Sequence, residues 1–367
     1  MKAAVLPAVD TPIEVRDDIE VAAPGPGEVR VRVAASGVCH SDLSVQNGTI
    51  RLPTPIVLGH EGAGVVEEVG EGVSTVAVGD HVVLTFVPAC GECHMCLHHQ
   101  SYLCERASLQ VSGGLADGTT RLTSGGAALH QMAYLGTFGE QAIVPAISLV
   151  KIPESVPLEV AALLGCGVLT GVGAALNTAT IAPGDTVVVF GCGGVGLNVI
   201  QGARIAGATT IIAVDQFASK LDLARSFGAT HTIDSTEEDP VSAVAVHNEG
   251  RGADVAFEVV GLGPVIEQAI KAVRSGGEVV LVGVPRMDVV INLNVAFTWL
   301  YQAKKISGCW YGSSNVHEDV PKLLDLWERG ELQLEDLISK EITVDQVNEA
   351  FADMQAGTVA RSVIRHG

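Results

Sequence analysis

The sequence predicts an α/β protein of two domains, one rich in β-strands and one built on a parallel sheet covered by helices. The chain has 367 residues, which is more than one hydrophobic core ordinarily holds. Its first third contains short valine-rich segments bounded by Gly, Pro or Asp, which are typical of strands. From about Leu158 onward, strand-like runs alternate with helix-like runs, and this alternation is typical of parallel strands joined by helical crossovers.

The predicted elements follow from these patterns in order. In the first third, the valine-rich strands are Glu28–Ala34, Gly64–Val69 and His81–Thr85. Strands and helices then alternate over Thr186–Phe190, Gly196–Ala206, Ile211–Val214, Lys220–Phe227, Thr230–Ile233, Val255–Val259, Val265–Val273 and Glu278–Val282. Helical patterns return over Val320–Arg329 and Val344–Met354, before a short strand-like tail.

Charge and cysteine usage narrow the class of protein. A formal net charge of −20 repels nucleic acid and anionic membrane surfaces, and no cluster of Lys and Arg is visible, so neither is an expected partner. The start of the chain lacks the pattern of a signal peptide. The uncharged stretch Val160–Gly184 is interrupted by glycines, which favours buried helix over a membrane span.

Eight cysteines, four of them at close spacing, indicate metal ligation in a reducing compartment, so we expect a cytoplasmic protein.

A glycine-rich segment predicts a dinucleotide site. Gly191, Gly193, Gly194, Val195 and Gly196 follow an apolar strand and open a helical stretch, where backbone N–H groups can approach a pyrophosphate. Asp215 ends the next strand, and a carboxylate there accepts hydrogen bonds from a ribose 2′-hydroxyl and repels the 2′-phosphate of NADP. The pattern favours NAD, and the alternative is an ordinary glycine-rich turn.

Two sets of residues have the chemistry of metal ligands. Cys90, Cys93, Cys96 and Cys104 can close a tetrahedron around Zn²⁺, and four cysteines leave no position for a substrate, so this zinc would be structural; two disulfides or an iron–sulfur cluster are the alternatives. The second set is Cys39, His60 and Cys166. A lone buried cysteine or histidine usually does no more than pack in the core. As a set, these three residues could bind zinc and leave its fourth coordination position open.

With these motifs, the chain closely resembles the zinc-containing medium-chain alcohol dehydrogenases over its whole length. The most specific marks are Gly59-His60-Glu61, the four-cysteine lobe, Gly165-Cys166-Gly167 and Gly191–Gly196. The segment Asp117–Thr123 is similar to one in the long-loop branch, which contains the liver-type and the glutathione-dependent formaldehyde dehydrogenases. The set of two cysteines and one histidine is itself the standard example of catalytic zinc in alcohol dehydrogenases, so this agreement is part of the resemblance.

The resemblance implies a GroES-like catalytic domain, formed by residues 1–167 and 311–367, and a Rossmann domain with a doubly wound parallel sheet over residues 168–310, with the active site in the cleft. It implies two zinc ions per subunit, one catalytic and one structural. By the resemblance, Cys39, His60 and Cys166 bind the catalytic zinc, with Glu61 at the same site. Asp42 and Glu61 orient the ligands, and Ser41 transfers the proton. The implied cofactor contacts are His40, Val195, Lys220 and Arg361, and the implied substrate pocket is formed by Phe86, Leu109 and Tyr134.

The implied activity is the reversible, NAD-linked oxidation of primary alcohols, with aromatic, allylic or longer aliphatic alcohols as the expected substrates. Two departures from the family pattern matter. Ser44 stands where the liver-type proton relay has a histidine, and serine cannot act as a base at neutral pH. Ser108 stands where the formaldehyde dehydrogenases have an arginine, which removes a charge partner for glutathione.

Two other functions remain as alternatives, a dehydrogenase of a thiol–formaldehyde adduct and a non-catalytic protein that binds zinc and NAD.

For the assembly, the segment Lys305–Gly312 matches the edge strand through which family members pair their Rossmann sheets. Because an unpaired apolar edge is an aggregation hazard, we expect a homodimer, and a tetramer stays open.

Overall fold

The computed structural model describes residues 1–115 and 117–367, and for residues 108–111 it describes the backbone only. The chain divides into two compact units. Unit 1 comprises Met1–Gly167, Asn315–Trp327 and Leu334–Gly367. Unit 2 comprises Val168–Ser314 and Glu328–Gln333.

The strands and helices are numbered along the chain. The strands are β1 (Ala3–Leu6), β2 (Glu14–Arg16), β3 (Ile19–Val21), β4 (Glu28–Val38), β5 (Ile56–Val57), β6 (Gly62–Val69), β7 (His81–Leu84), β8 (Leu122–Ser124), β9 (Ala127–Gln131), β10 (Gln141–Pro145), β11 (Leu149–Ile152), β12 (Thr186–Phe190), β13 (Thr210–Asp215), β14 (His231–Asp234), β15 (Ala253–Glu258), β16 (Val273–Leu281), β17 (Lys305–Gly308), β18 (Lys340–Ile342) and β19 (Ser362–Arg365).

The helices are α1 (His40–Gln46), α2 (His94–Leu97), α3 (Leu158–Leu163), α4 (Gly167–Gly173), α5 (Gly194–Ala206), α6 (Ala218–Ser226), α7 (Pro240–Val246), α8 (Gly263–Ala272), α9 (Val316–Glu328) and α10 (Val347–Gln355). Short 3₁₀ segments lie at Ser101–Leu103, Glu105–Ser112, Met132–Tyr134, Ala146–Ser148, Tyr311–Ser313, Glu335–Leu337 and Val344–Gln346, and π-helical turns at Ala174–Thr178 and Val295–Tyr301.

Unit 1 is built on two sheets. One has the strand order β2-β1-β5-β9-β8-β3, and the other has the order β11-β7-β6-β4-β19-β18, with β10 also paired to β4. The long strand β4 is the centre of the second sheet, because it pairs with β6, β10 and the C-terminal strand β19. Val29, Val31 and Val33 of β4 are buried in a core shared with β6, β7 and β10.

The prediction ended β4 at Ala34, whereas the strand runs on to Val38. Residues 35–38 carry little apolar alternation, so the sequence pattern fades there. They are nevertheless buried and pair with the tail of the chain, with Val38 opposite Ser362 and Ala35 opposite Arg365. Pairing with the C-terminal strand β19, far away in sequence, thus extends β4 beyond its local pattern. The extension matters because the next residue is Cys39.

Unit 2 is a six-stranded parallel sheet in the order β14-β13-β12-β15-β16-β17. Val187, Val188 and Val189 of β12 are fully buried, as expected of a central parallel strand with apolar residues facing both sides. The predicted strand Thr186–Phe190 is found at those bounds, and the helix after it begins at Gly194, two residues earlier than predicted. The predicted α/β class is confirmed.

The uncharged stretch predicted to be buried helix forms the short helices α3 and α4, followed by the π-helical turn. Within residues 1–115 and 117–367, no helix is long and apolar enough to cross a membrane.

Candidate active site

A buried cluster of metal-binding side chains lies in unit 1. Cys39 follows the end of β4, His60 and Glu61 lie between β5 and β6, and Cys166 lies between α3 and α4. Each residue offers one ligand atom, and these atoms all lie within 4.8 Å of one another. The structure therefore brings together the two cysteines and the histidine that the sequence suggested as ligands, with Glu61 beside them.

Asp42 holds the histidine of this cluster in one orientation. Its Oδ1 lies 3.0 Å from Nδ1 of His60 and accepts the backbone N–H of Gly59 at 3.2 Å. Its Oδ2 accepts the backbone N–H of Cys39 at 2.9 Å. Both Asp42 and His60 are buried, and a carboxylate on one ring nitrogen of a histidine is the usual way to present the other nitrogen to a metal.

The free nitrogen provides a test of whether a metal fits. Nε2 of His60 is buried and has no hydrogen-bond partner in the part of the chain that the structure describes. Burying a polar nitrogen without a partner is costly, so its place beside two cysteine sulfurs needs an explanation. A cation held by Cys39, His60 and Cys166 supplies that explanation, and the donor set of two thiolates and an imidazole suits zinc.

The two thiols of the cluster differ in their tendency to ionise. The hydrogen bond with Cys166 lowers the pKa of Cys39 well below its usual value, although burial opposes this shift. The same hydrogen bond and burial raise the pKa of Cys166 well above its usual value. One negative charge on two neighbouring sulfurs is thus favoured over two. A bound metal ion reverses this, because a coordinated thiol loses its proton.

Glu61 lies against a buried arginine. Its Oε1 accepts the backbone N–H of Gly167 at 2.9 Å and lies 3.3 Å from Nη1 of Arg361. Its Oε2 is buried with no hydrogen-bond partner among the described residues. Burial raises the pKa of Glu61 to about 7, although Arg361 opposes the shift.

Two glycines make room for this ion pair. A Cβ built at Gly37 would lie 2.0 Å from Oε2 of Glu61, and one at Gly167 would lie 2.2 Å from Nη2 of Arg361. Any larger residue at either position would displace the charged groups. Sequence reasoning missed Gly37, which lies two residues before Cys39, because the predicted strand ended at Ala34. A glycine inside a strand indicates close approach of another group, but only the structure shows that β4 continues through Gly37.

Arg361 was predicted to contact the cofactor, and that role stays a prediction. The structure places its guanidinium in unit 1, where it is 6% exposed and also donates to the carbonyl of Val38 at 3.2 Å. His40, another predicted cofactor contact, is exposed at the first residue of α1.

The remaining predicted residues of unit 1 lie at different distances from the cluster. Oγ of Ser41 is 3.9 Å from the sulfur of Cys39, and the ring of Phe86 meets the His60 ring edge-on with centroids 5.4 Å apart. Tyr134 is only 2% exposed, packs with Leu115 and Ile143, and donates its hydroxyl to the Arg106 carbonyl at 2.9 Å. Leu109 and Ser108 lie outside the residues whose side chains are described.

The four-cysteine lobe forms a second cluster in unit 1. The ligand atoms of Cys90, Cys93, Cys96 and Cys104 all lie within 4.8 Å of one another. The sulfurs of Cys90 and Cys96 are 3.9 Å apart, as are those of Cys93 and Cys104. All are free thiols, and the separation far exceeds a disulfide bond of about 2.05 Å. Four sulfurs at about 2.3 Å from one zinc ion would be spaced by about 3.8 Å, which fits.

The cysteine thiols of this lobe also differ in their pKa values. The backbone N–H of Cys96 lowers the pKa of Cys93 to about 6, which favours a thiolate. Burial raises the pKa of Cys96 to about 12, which favours a thiol. A cation among the four sulfurs would ionise them all.

The predicted phosphate loop of unit 2 lies where two strands end side by side. Phe190 of β12 pairs with Val214 of β13, so Gly191 and Asp215 follow at the same edge of the sheet. Gly191 has a φ of +99°, and a Cβ built at Gly196 would lie 1.8 Å from the Gly191 carbonyl oxygen. Helix α5 starts directly after Gly193, so the loop presents backbone N–H groups at a helix N-terminus.

Asp215 is fixed against this loop. Its Oδ2 accepts the backbone N–H of Cys192 at 2.8 Å, and its Oδ1 accepts those of Gln216 and Phe217. Nζ of Lys220 lies 4.9 Å above the Phe217 ring. The glycines and the carboxylate therefore form one connected unit at the carboxyl end of the sheet, which is where nucleotides bind in such folds.

Comparison with known proteins bears on both units. Residues 25–154 match the model of the alcohol dehydrogenase GroES-like domain, and residues 194–329 match that of the zinc-binding dehydrogenases. An NDMA-dependent alcohol dehydrogenase of Amycolatopsis methanolica is 40% identical, with 100% of this chain and 98% of the relative covered. A class-3 alcohol dehydrogenase of Myxine glutinosa is 39% identical, with 99% and 97% covered.

Among solved structures, a benzyl alcohol dehydrogenase of Acinetobacter calcoaceticus is similar with a TM-score of 0.94 and 32% identity, covering 100% of this chain and 99% of that one. The folds of the two units thus correspond to a GroES-like domain and a Rossmann-like parallel-sheet domain. Because the family models and these full-length relatives agree, the chain belongs to the zinc-dependent medium-chain alcohol dehydrogenase family and is an alcohol dehydrogenase.

Proposed function

We propose that this alcohol dehydrogenase is zinc-dependent and NAD-linked and that it interconverts primary alcohols and aldehydes. Aromatic, allylic or longer aliphatic alcohols are the proposed substrates. One observation carries the proposal: two buried cysteine sulfurs converge with a buried, unpartnered Nε2 of His60, whose other ring nitrogen is held by Asp42. Three such ligands leave one zinc position open, as catalysis requires and a structural site does not.

Zinc and NAD would supply the chemistry of the reaction. Zinc on Cys39, His60 and Cys166 would act as a Lewis acid toward a substrate hydroxyl, and the nicotinamide of NAD would accept a hydride. The residues of the chain do the rest. Asp42 fixes the His60 ring, Phe86 places an apolar ring against it, and Ser41 receives the hydroxyl proton at Oγ. Ser41 gives up its own hydroxyl proton in the same step, and because Ser44 cannot act as a base, ribose and water or another side chain would take that proton.

The four-cysteine lobe would hold the second zinc. Its sulfur spacing of 3.9 Å suits one tetrahedral ion, and its four thiols leave no position for substrate. The lobe is proposed to stabilise unit 1 and to take no part in the reaction.

The cofactor proposal rests on Asp215 and the glycine loop. A carboxylate at this place accepts hydrogen bonds from a ribose diol and repels a 2′-phosphate, which favours NAD over NADP. Gly191, Gly193, Gly194 and Gly196 would let the pyrophosphate approach the backbone, with Val195 behind the nicotinamide. His40, Lys220 and Arg361 are proposed as further contacts.

A second candidate concerns the electron acceptor. A relative with 40% identity over essentially the whole chain is named as NDMA-dependent. This supports a variant of the proposal in which NAD stays bound through many turnovers and an added acceptor reoxidises it. The two variants separate by experiment: desalted protein either turns over alcohol with NDMA and no added NAD, or it needs NAD in the assay.

The first experiment is NADH formation on a panel of alcohols, each with and without a zinc chelator. The panel includes short and long aliphatic, benzylic and allylic alcohols, and formaldehyde with thiols. Chelator-sensitive oxidation of a simple alcohol supports the proposal. Activity confined to a thiol adduct favours the formaldehyde alternative, and NAD binding without turnover of any substrate, with or without NDMA, favours a non-catalytic protein.

Matched variants assign the activity to the buried cluster. Cys39→Ala and Cys166→Ala should abolish turnover and leave NADH binding largely intact. The control is Cys309→Ala, because Cys309 is also buried but lies in unit 2 outside both sulfur clusters. Normal turnover in Cys39→Ala would refute the site assignment.

We also propose a homodimer formed through unit 2. Strand β17 is the last strand of the sheet, and the segment 284–301, which precedes it in the chain, carries exposed apolar side chains. Met287, Val290, Leu300 and Tyr301 are 96%, 80%, 73% and 77% exposed. Such a concentration of apolar surface is typical of a surface that a partner covers, and a second copy of the chain is the proposed partner.

A further inference from the structure

A buried carboxylate in unit 2 has no place in the proposed chemistry. Glu258 is the last residue of β15 and is fully buried. It pairs with Phe190 of β12 on one side and with Leu281 of β16 on the other. Glu258 therefore lies beside the residue that precedes Gly191, the first glycine of the phosphate loop.

The carboxylate of Glu258 binds the turn that follows it. Its Oε1 accepts the backbone N–H groups of Val260 at 3.0 Å and Gly261 at 2.8 Å. Its Oε2 is buried and has no hydrogen-bond partner within the described part of the chain. An apolar side chain would fill this space at lower cost, but it would leave two N–H groups of the turn without their acceptor. The contacts of Oε1 thus account for a carboxylate here.

The turn formed by residues 259–262 has little freedom to move on its other side. A Cβ built at Gly283 would lie 2.2 Å from the backbone nitrogen of Gly261. Gly261 itself has a φ of +82°, and a Cβ there would lie 2.6 Å from the Val284 carbonyl oxygen. The turn therefore packs backbone against backbone on the segment after β16.

The same turn lies against the phosphate loop. A Cβ built at Gly191 would lie 2.7 Å from Cγ2 of Val260, so the Val260 side chain occupies the space that the glycine leaves. The backbone N–H of Val259 also donates to the Phe190 carbonyl at 3.0 Å. The Glu258 carboxylate thus holds the backbone of Val260, whose side chain fills the space beside Gly191.

We propose that Glu258 is a positioning residue for the cofactor, because its carboxylate fixes the turn that supports Gly191. The inference rests on the proposed binding of NAD at Gly191–Gly196. When the acceptor of the Val260 and Gly261 N–H groups is lost, the turn shifts, Val260 leaves Gly191, and the phosphate loop loses its preorganised shape. The consequence is weaker cofactor binding, with the zinc cluster of unit 1 unaffected.

The test measures NADH affinity by fluorescence titration for wild type, Glu258→Ala, Glu258→Gln and Val244→Ala. Val244 is fully buried in α7, so its truncation is a matched destabilising control in the same unit. Zinc content and melting temperature are measured alongside. We expect Glu258→Ala to weaken NADH binding by about tenfold or more, as loss of a buried acceptor predicts. Glu258→Gln keeps an acceptor oxygen, so its affinity should stay within about threefold of wild type.

The outcomes distinguish failure of the positioning role of Glu258 from failure of NAD binding itself. Equal NADH affinity in Glu258→Ala and wild type overturns the positioning role. A loss of affinity in Val244→Ala as large as that in Glu258→Ala also overturns it, because Glu258 would then act through stability alone. If Glu258→Ala does not fold, Glu258→Asp replaces it, because the shorter side chain withdraws the acceptor from the turn. NADH binding by Glu258→Asp must then be weaker than that by Glu258→Gln for the inference to stand. A wild-type protein that does not bind NADH overturns the proposed NAD function itself.

Discussion

The carboxylate of Asp42 lies 3.0 Å from Nδ1 of His60, and both side chains are buried in unit 1. The same carboxylate also binds the backbone of Gly59 and Cys39, so one residue fixes the position of two proposed zinc ligands. Such an arrangement orients the His60 ring and anchors the backbone at Cys39, as the carboxylate partners of metal ligands do.

Replacing Asp42 should therefore weaken the proposed catalytic zinc site without removing a ligand. We expect Asp42→Ala to lower zinc affinity at that site by about 10- to 100-fold, with a parallel loss of kcat. Asp42→Asn keeps an acceptor and should lose less. Competition with a chelator of known affinity measures the effect. Unchanged zinc retention in Asp42→Ala would show that the cysteines alone position the ion.

The four-cysteine lobe should respond differently from the buried cluster. Cys93→Ser removes one of four proposed ligands, so we expect zinc content to fall from about two ions per chain to about one, with a lower melting temperature. Metal analysis and thermal unfolding measure both. Cys309→Ser is the control, since Cys309 lies outside both sulfur clusters. Zinc content equal to wild type in Cys93→Ser would argue against a structural ion in the lobe.

Asp215 should set the choice between NAD and NADP. Asp215→Asn removes the negative charge and keeps one acceptor oxygen for the turn at Gln216 and Phe217. We expect kcat/KM with NADP, relative to NAD, to rise by about tenfold or more, because the repulsion of the 2′-phosphate is lost. Steady-state kinetics with both cofactors measure this ratio. A ratio that does not change would place the discrimination elsewhere in unit 2.

The sequence predicted those parts of the molecule that local pattern controls. Strand β12 was predicted at its observed bounds because Val187–Val189 form an uninterrupted apolar run, and the sulfur lobe was visible because its ligands are close in sequence. The closeness of Cys39, His60 and Cys166 could come only from resemblance to a family, because the fold alone brings these distant residues together. The roles of Gly37 and Glu258 were missed since each depends on what another segment places beside it.

The proposed homodimer can be tested at its exposed apolar segment. Leu300→Asp places a charge on a side chain that is 73% exposed, so it should not harm an isolated chain but should oppose burial against a second copy. We expect light scattering after size exclusion to show a shift toward monomer. Val78→Asp is the control, since Val78 is 64% exposed and lies in unit 1, whereas the segment lies in unit 2. Equal effects of both variants would mean that the segment 284–301 is not the interface.

Glu258 should also give stability a dependence on pH that its amide variant lacks. Burial raises the pKa of Glu258 from its ordinary value of 4.5. A carboxyl group whose folded pKa is raised stabilises the fold fully below the unfolded value, and this contribution is lost as pH rises through the folded value. Glutamine is neutral throughout, so Glu258→Gln should gain stability relative to wild type as pH rises above 4.5. Thermal unfolding at a series of pH values measures the difference, with Glu238→Gln, at an exposed carboxylate of the same unit, as control. The difference in stability between Glu258→Gln and wild type could instead stay constant with pH. Glu258 would then be ionised to the same extent in the folded and unfolded chain, and the hydrogen bonds from Val260 and Gly261 would fully offset its burial.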